Sequence, residues 1–177
     1  EPLPRTIVLD GQPEGEPKGK VLSPEMRAIT MTLSFDYPYR TFPQDLSLSL
    51  LARFEEKRPL SYLTWETPDG REISMGSMQL DSAQTYLAAQ DKLLGRKLRT
   101  ENPIEGIFGA PEEGLRQALP GHYQLRVRTY LFEPDSEVEA HLVVFGQVHG
   151  LAGTDSNRRD LIVPLLWGTP VALCLGL

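Results

Sequence analysis

From Ile29 to Asp36 every second residue is apolar: Ile29, Met31, Leu33 and Phe35 alternate with Thr30, Thr32, Ser34 and Asp36. A period of two sends successive side chains to opposite faces of an extended backbone, so this stretch buries one face only as a strand. The pattern recurs. Leu46, Leu48 and Leu50 alternate with Ser47 and Ser49, and Tyr123, Leu125 and Val127 alternate with Gln124, Arg126 and Arg128. Residues 138–148 read as a last strand, with Glu137, Glu139 and His141 on its polar face. The turns between strands have physical causes. Pro68 presets φ and Gly70 accepts a positive φ, so 62–66 and 71–75 are expected to pair as a hairpin. Glu133-Pro134-Asp135-Ser136 is the turn before the last strand.

One segment breaks the alternation. Asp81 is placed to cap a helix, with Gln84 three residues later as in a capping box. Tyr86, Leu87, Leu93 and Leu94 form its apolar stripe, and Gly95 is placed to stop it. Residues 100–120, with Asn102-Pro103, Gly106, Gly109, Pro111 and Pro120, read as loop. Several short strands with one inserted helix indicate a mainly β fold, an antiparallel β-sandwich over residues 25–150. Gly121-His122-Tyr123 is placed like a tyrosine corner and Trp65 like a core tryptophan, so an immunoglobulin-like order is the arrangement to test. Residues 1–24, rich in Pro and Gly, read as an extended tether with 6–9 as a short edge strand.

Residues 161–177, LIVPLLWGTPVALCLGL, carry no charge. Crossing a membrane takes roughly 20 apolar residues. The run is read as the start of a transmembrane helix, with Trp167 at headgroup level. A buried C-terminal strand and helix, broken at Pro164 and Pro170, is the alternative. Just before the run stand Gly153-Thr154-Asp155 and Arg159-Asp160, with Gly168 inside it. Residues 151–177 thus form a membrane-entering motif and the first part of a span.

These residues resemble the permease subunits of binding-protein-dependent ABC importers, nearest the dipeptide/oligopeptide type. That family shows G-T-D-x-x-G-R-D outside the membrane, between its first and second transmembrane helices. Gly153, Thr154, Asp155, Arg159, Asp160, Gly168 and Leu173 match. Arg158 replaces the second motif glycine, Val163-Pro164 a Ser-Arg pair, Pro170 an arginine and Ala172 a serine. The resemblance implies an extracytoplasmic domain at the cell membrane, with residues 1–24 leading out of the first helix. It also implies a second permease subunit, an ATPase subunit and a solute-binding protein as partners. In that arrangement the domain docks the binding protein or shapes the mouth of the pathway. A membrane-anchored β-sandwich for binding or adhesion is the alternative.

Composition and motifs narrow the chemistry. A net charge of −6 with no Lys/Arg-rich block argues against a nucleic-acid partner. Cys174 is the single cysteine, so no intrachain disulfide forms. His141 and His149 lie too far apart along one strand to share a metal, and zinc sites usually need three or four ligands. There is no G-x-S-x-G elbow and no phosphate loop. No catalytic residue, metal or cofactor is therefore expected, and the chain reads as a non-enzyme. Phe35, Tyr37, Tyr39 and Phe42 stand among prolines as either interface anchors or loop aromatics folded onto the core, the second being the commoner use.

Overall fold

Each alternating stretch is a strand in the computed structural model, which describes residues 4–11, 20–23, 26–111 and 116–147. The described strands are β1 (Ile7–Gly11), β2 (Lys20–Ser23), β3 (Met26–Tyr37), β4 (Asp45–Arg53), β5 (Leu60–Glu66), β6 (Glu72–Gln79), β7 (Ala83–Leu87), β8 (Gly121–Leu131) and β9 (Glu137–Phe145). They belong to one compact unit, Glu1–Gly146; of the second unit, Gln147–Leu177, only Gln147 is described. One antiparallel sheet has the order β1-β9-β4-β7 and the other β2-β3-β8-β5-β6. The β-sandwich is thus the observed architecture.

Its strand order is that of a jelly roll. From β3 onward the chain changes sheet at every connection except the β5–β6 hairpin, where Gly70 takes φ 79 at the Pro68-Asp69-Gly70 turn. In the constant-type immunoglobulin order the first and last strands lie in opposite sheets. Here β1 pairs directly with β9, Ile7 opposite Val144 and Gly11 opposite Ala140. The features that suggested the immunoglobulin order are present, but they are local. Trp65 is fully buried, and the Tyr123 hydroxyl donates to the Leu119 carbonyl at 2.5 Å. A buried tryptophan and a tied tyrosine hold a strand corner without dictating which strands become neighbours.

The alternation delivers its apolar positions to a single core. Met31, Leu33, Phe35 and Tyr37 of β3 and Tyr123, Leu125 and Val127 of β8 face Leu46, Leu48 and Leu50 of β4 and Ala140, Leu142 and Val144 of β9. Burying a side chain of this size contributes about 1.5–3 kcal/mol. The hydroxyls of Ser61 and Thr129 are buried with them and bond each other at 2.6 Å, so neither is left unsatisfied.

The expected helix starts later than its capping box. Ala83–Leu87 is strand β7, pairing with β4 from Ser47–Leu87 to Leu51–Ala83. The edge of β4 offers unpaired backbone groups, and pairing with it outweighs a local helix signal. Helix α1 (Lys92–Leu98) is capped by Asp91, whose carboxylate accepts the Leu93 and Leu94 amides. Gly95 lies inside α1 rather than at its end, because the Thr100 carbonyl and Pro103 pack against its bare Cα. A second helix, α2 (Pro103–Phe108), occupies the segment read as loop. Asn102 is its N-cap and Pro103 its first residue, where a missing N–H costs no hydrogen bond. In the segment read as a tether, β1 forms one edge of its sheet and β2 pairs with β3.

At the far end of the sandwich one carboxylate fixes a loop. Glu133, in the β8–β9 turn, accepts the amides of Glu55, Glu56 and Lys57 at 2.7, 2.8 and 2.6 Å. These backbone donors, that of Glu55 foremost, hold its pKa down at about 2 against an ordinary 4.5. A depressed carboxylate pKa stabilises the fold above the unfolded value and loses that effect as pH falls through the folded one. Glu133→Gln is therefore expected to lower the melting temperature at pH 7. The gap to wild type should close as pH falls from about 4.5 towards about 2. Thermal melts across that window check this, and a gap independent of pH would remove the charge from the explanation.

Candidate interaction surfaces

The motif residues Gly153, Thr154, Asp155, Arg159, Asp160 and Gly168, the apolar run 161–177 and His149 lie outside the described residues. The aromatic segment after β3 folds back onto the core. Phe35 and Tyr37 are buried, Tyr39 and Phe42 pack against them, and the Tyr37 hydroxyl donates to the Thr41 carbonyl at 2.7 Å. It is core, not an exposed anchor.

The two described histidines are held apart. His122, on β8, pairs with Asp36 at 2.9 Å, and His141, on β9, with Asp10 at 2.6 Å. Each lies on the outward side of a different sheet, so they cannot meet. Among the described residues no group of three or more His, Cys, Asp or Glu could hold a metal ion. The groups with displaced acidity serve the fold. Burial pushes the phenols of Tyr37, Tyr86 and Tyr123 up, so all three stay protonated donors, and the Tyr86 hydroxyl donates a hydrogen bond to Asp91. Asp69 is held below the ordinary carboxylate range by bonds from Thr67 and Arg71, which outweigh its partial burial, and Glu133 clamps its loop.

The outward face of the β2-β3-β8-β5-β6 sheet is the first candidate surface. Tyr62 of β5 meets Tyr130 of β8 edge-on at 5.8 Å, and the Arg128 guanidinium lies 5.4 Å from the Tyr130 ring centre. Cation and ring attract electrostatically at this range. Arg126, one alternation away, is drawn between Glu66 at 3.0 Å and Glu72 at 3.5 Å. Tyr62 is exposed and Tyr130 half-buried, and tyrosines with an arginine are common anchors of protein interfaces. The alternation of β8 marks Arg126 and Arg128 as outward, but nothing in the sequence says that Tyr62 stands beside them.

The second surface is α1 and the residue after it. Leu94 and Gly95 are buried, while Lys92, Leu93, Arg96, Lys97 and Arg99 are exposed. Sequence reasoning counted Leu93 among the buried stripe; it is 74% exposed.

The third feature is where the chain enters and leaves the sandwich. Because β1 and β9 are antiparallel neighbours, Thr6 and Gly146 lie side by side, and the Gly146 amide donates to Thr6 Oγ1 at 3.2 Å. A Cβ on Gly146 would overlap the Pro4 carbonyl oxygen and stand 2.6 Å from the Arg5 carbonyl carbon. Only glycine admits this crossing.

No family model matches the chain, and no curated protein matches it. Among solved structures it is similar to TmCBM61 in complex with beta-1,4-galactotriose, with 9% identity and a TM-score of 0.37. That match covers 69% of this chain and 62% of the other, less than two thirds of its length.

Proposed function

We propose that the sandwich is the extracytoplasmic domain of an ABC-importer permease, inserted between its first two membrane helices. In this reading it catalyses nothing; a separate ATPase subunit drives transport, and the sandwich holds the solute-binding protein or shapes the pathway mouth. The observation that carries the reading is the pairing of β1 with β9. A domain inserted in a loop between two membrane helices must take in and release its chain at one end, and here Thr6 and Gly146 touch. The motif from Gly153 to Asp160 and the uncharged run 161–177 follow that exit in the order the family resemblance implies. Of the described surfaces, Tyr62, Arg128 and Tyr130 have the composition for docking a protein.

The native full-length protein provides the test. Arg53, on the outward side of β4, has an 82% exposed side chain, and its ion pair with Glu137 at 3.7 Å is on the surface, so cysteine there is expected to leave the fold intact. Arg53→Cys should react in intact cells or spheroplasts with a membrane-impermeant maleimide, and a tag on the protein should co-purify an ATPase subunit. Labelling only after lysis would place the sandwich on the wrong side. Outside labelling of a protein with a single span and no ATPase would instead establish the membrane-anchored binding or adhesion domain.

A further inference from the structure

We propose that α1 and the cleft beside it form a contact site for anionic phospholipid headgroups. Lys92, Arg96 and Arg99 line one shallow cleft, with Thr100 at its wall and Glu101 as its single acid. None of the three cations forms an ion pair among the described residues, and Lys97 beside them spends its ammonium on the Ser74 carbonyl at 2.8 Å. Four cations within residues 92–99 stand out in a chain of net charge −6. A guanidinium meets a phosphate through two parallel N–H bonds and a lysine meets it as a point charge, so the set suits phosphate.

Leu93 decides between a dissolved anion and a surface. It is 74% exposed, next to Lys92 and one turn from Arg96 and Lys97. A free phosphate has no use for an exposed leucine, whereas a bilayer gives it an apolar layer just beneath the charged one. The strand directions put this patch at the right end. β7 runs into α1 at the end where β4 begins; there Asp45 lies opposite Phe145 of β9 and accepts the Ala89 amide at 3.1 Å. The same end holds Thr6 and Gly146, where the chain enters and leaves. The opposite end mixes Glu55, Glu56, Asp81, Glu133 and Asp135 with Arg53, Lys57 and Arg58, and Arg58 is paired with Asp81 at 3.1 Å. The proposal rests on the permease reading only in that this end then faces a membrane.

The test uses residues 1–177 together, with vesicles of phosphatidylcholine alone or with about 30% phosphatidylglycerol. The apolar run contributes to both, so the quantity read is the preference for the anionic vesicles. Each basic residue near such a surface is worth about fivefold in partition. Lys92→Glu with Arg96→Glu should therefore lower anionic binding by about 25-fold or more, with neutral binding and melting temperature unchanged. Leu93→Ser should weaken anionic binding while keeping its salt dependence. Equal partition of the charge-reversed and wild-type chains would overturn the proposal. So would loss of an acidic protein partner with vesicle binding intact, which would reassign the patch to that protein. Anionic preference through α1 in a protein not labelled from outside would keep the site and sink the permease reading; outside labelling without that preference would do the reverse.

Discussion

Trp65→Ala is expected to cost about 3–5 kcal/mol of stability, which for a domain held by about 5–15 kcal/mol leaves it close to unfolding at physiological temperature. Trp65 is fully buried and touches Phe35, Phe108 and Tyr123 with ring centres 6.0, 5.2 and 5.5 Å away. Its indole N–H donates to the Ile107 carbonyl at 3.0 Å. Alanine there removes the largest buried side chain and strands a buried acceptor. The effect should spread, because Trp65 ties β5 to α2, and α2 packs against α1. At roughly 2–4 °C per kcal/mol, the melting temperature should fall by about 6–20 °C. Trp65→Phe, which keeps a ring and loses only the N–H bond, should fall by much less. Near-ultraviolet dichroism during thermal unfolding reads both. A drop of only about 2 °C in the alanine variant would mean that the aromatic cluster is not what holds the inserted helices.

The strands were legible because alternation encodes burial directly: one residue in, one out, from Ile29 to Phe35, through β8 and β9, and in β4 from Leu48 onward, although Asp45 and Ser47 at its start are buried as well. What failed was decided by distant partners. Asp81 and Gln84 make a sound helix signal, yet 83–87 lie against the free edge of β4, far away in sequence, and that edge wins. Asn102-Pro103 reads equally well as a loop or as a cap followed by a first helical residue, and packing of Ile104, Ile107 and Phe108 into the core selects the helix. The jelly-roll order depends on β1 finding β9 across almost the whole domain, which no local pattern announces. The same holds for the surfaces. Arg128 and Tyr130, two apart on β8, are recognisably on one face, but Tyr62 is brought opposite Arg128 only by the β5–β8 pairing. The cations of α1 are plain in the sequence, and their common cleft is not, because it depends on how α1 meets the segment from Arg99 to Pro103.

Gly146→Val is expected to detach β1 while leaving the rest of the sandwich folded. The atoms a new side chain would meet are backbone, the Pro4 carbonyl and Arg5, so no rotamer change relieves the overlap and one segment must move. β9 is pinned by its other neighbour, with β4 pairing from Asp45–Phe145 to Arg53–Glu137. β1 has five residues, pairs only with β9 and forms the edge of the sheet, so it yields. Ile7 and Leu9 then withdraw from the core, and the loss should be about 1–3 kcal/mol, typical of overpacking. Hydrogen exchange at the β1 amides should rise by about fivefold or more, the factor that about 1 kcal/mol implies, with β3 and β8 still protected. Thr6→Val removes the hydrogen bond to the Gly146 amide without the overlap and should cost only about 1 kcal/mol. Unchanged protection of β1 in the Gly146 variant would show that the crossing is loose. The functional consequence follows from the geometry. With β1 released, the incoming chain is no longer fixed beside the outgoing one, and in the proposed arrangement the sandwich would lose one of its two attachments. On the permease reading proposed above, that variant of the full-length protein should reduce uptake while the protein still reaches the membrane, which separates a lost anchor from a lost fold.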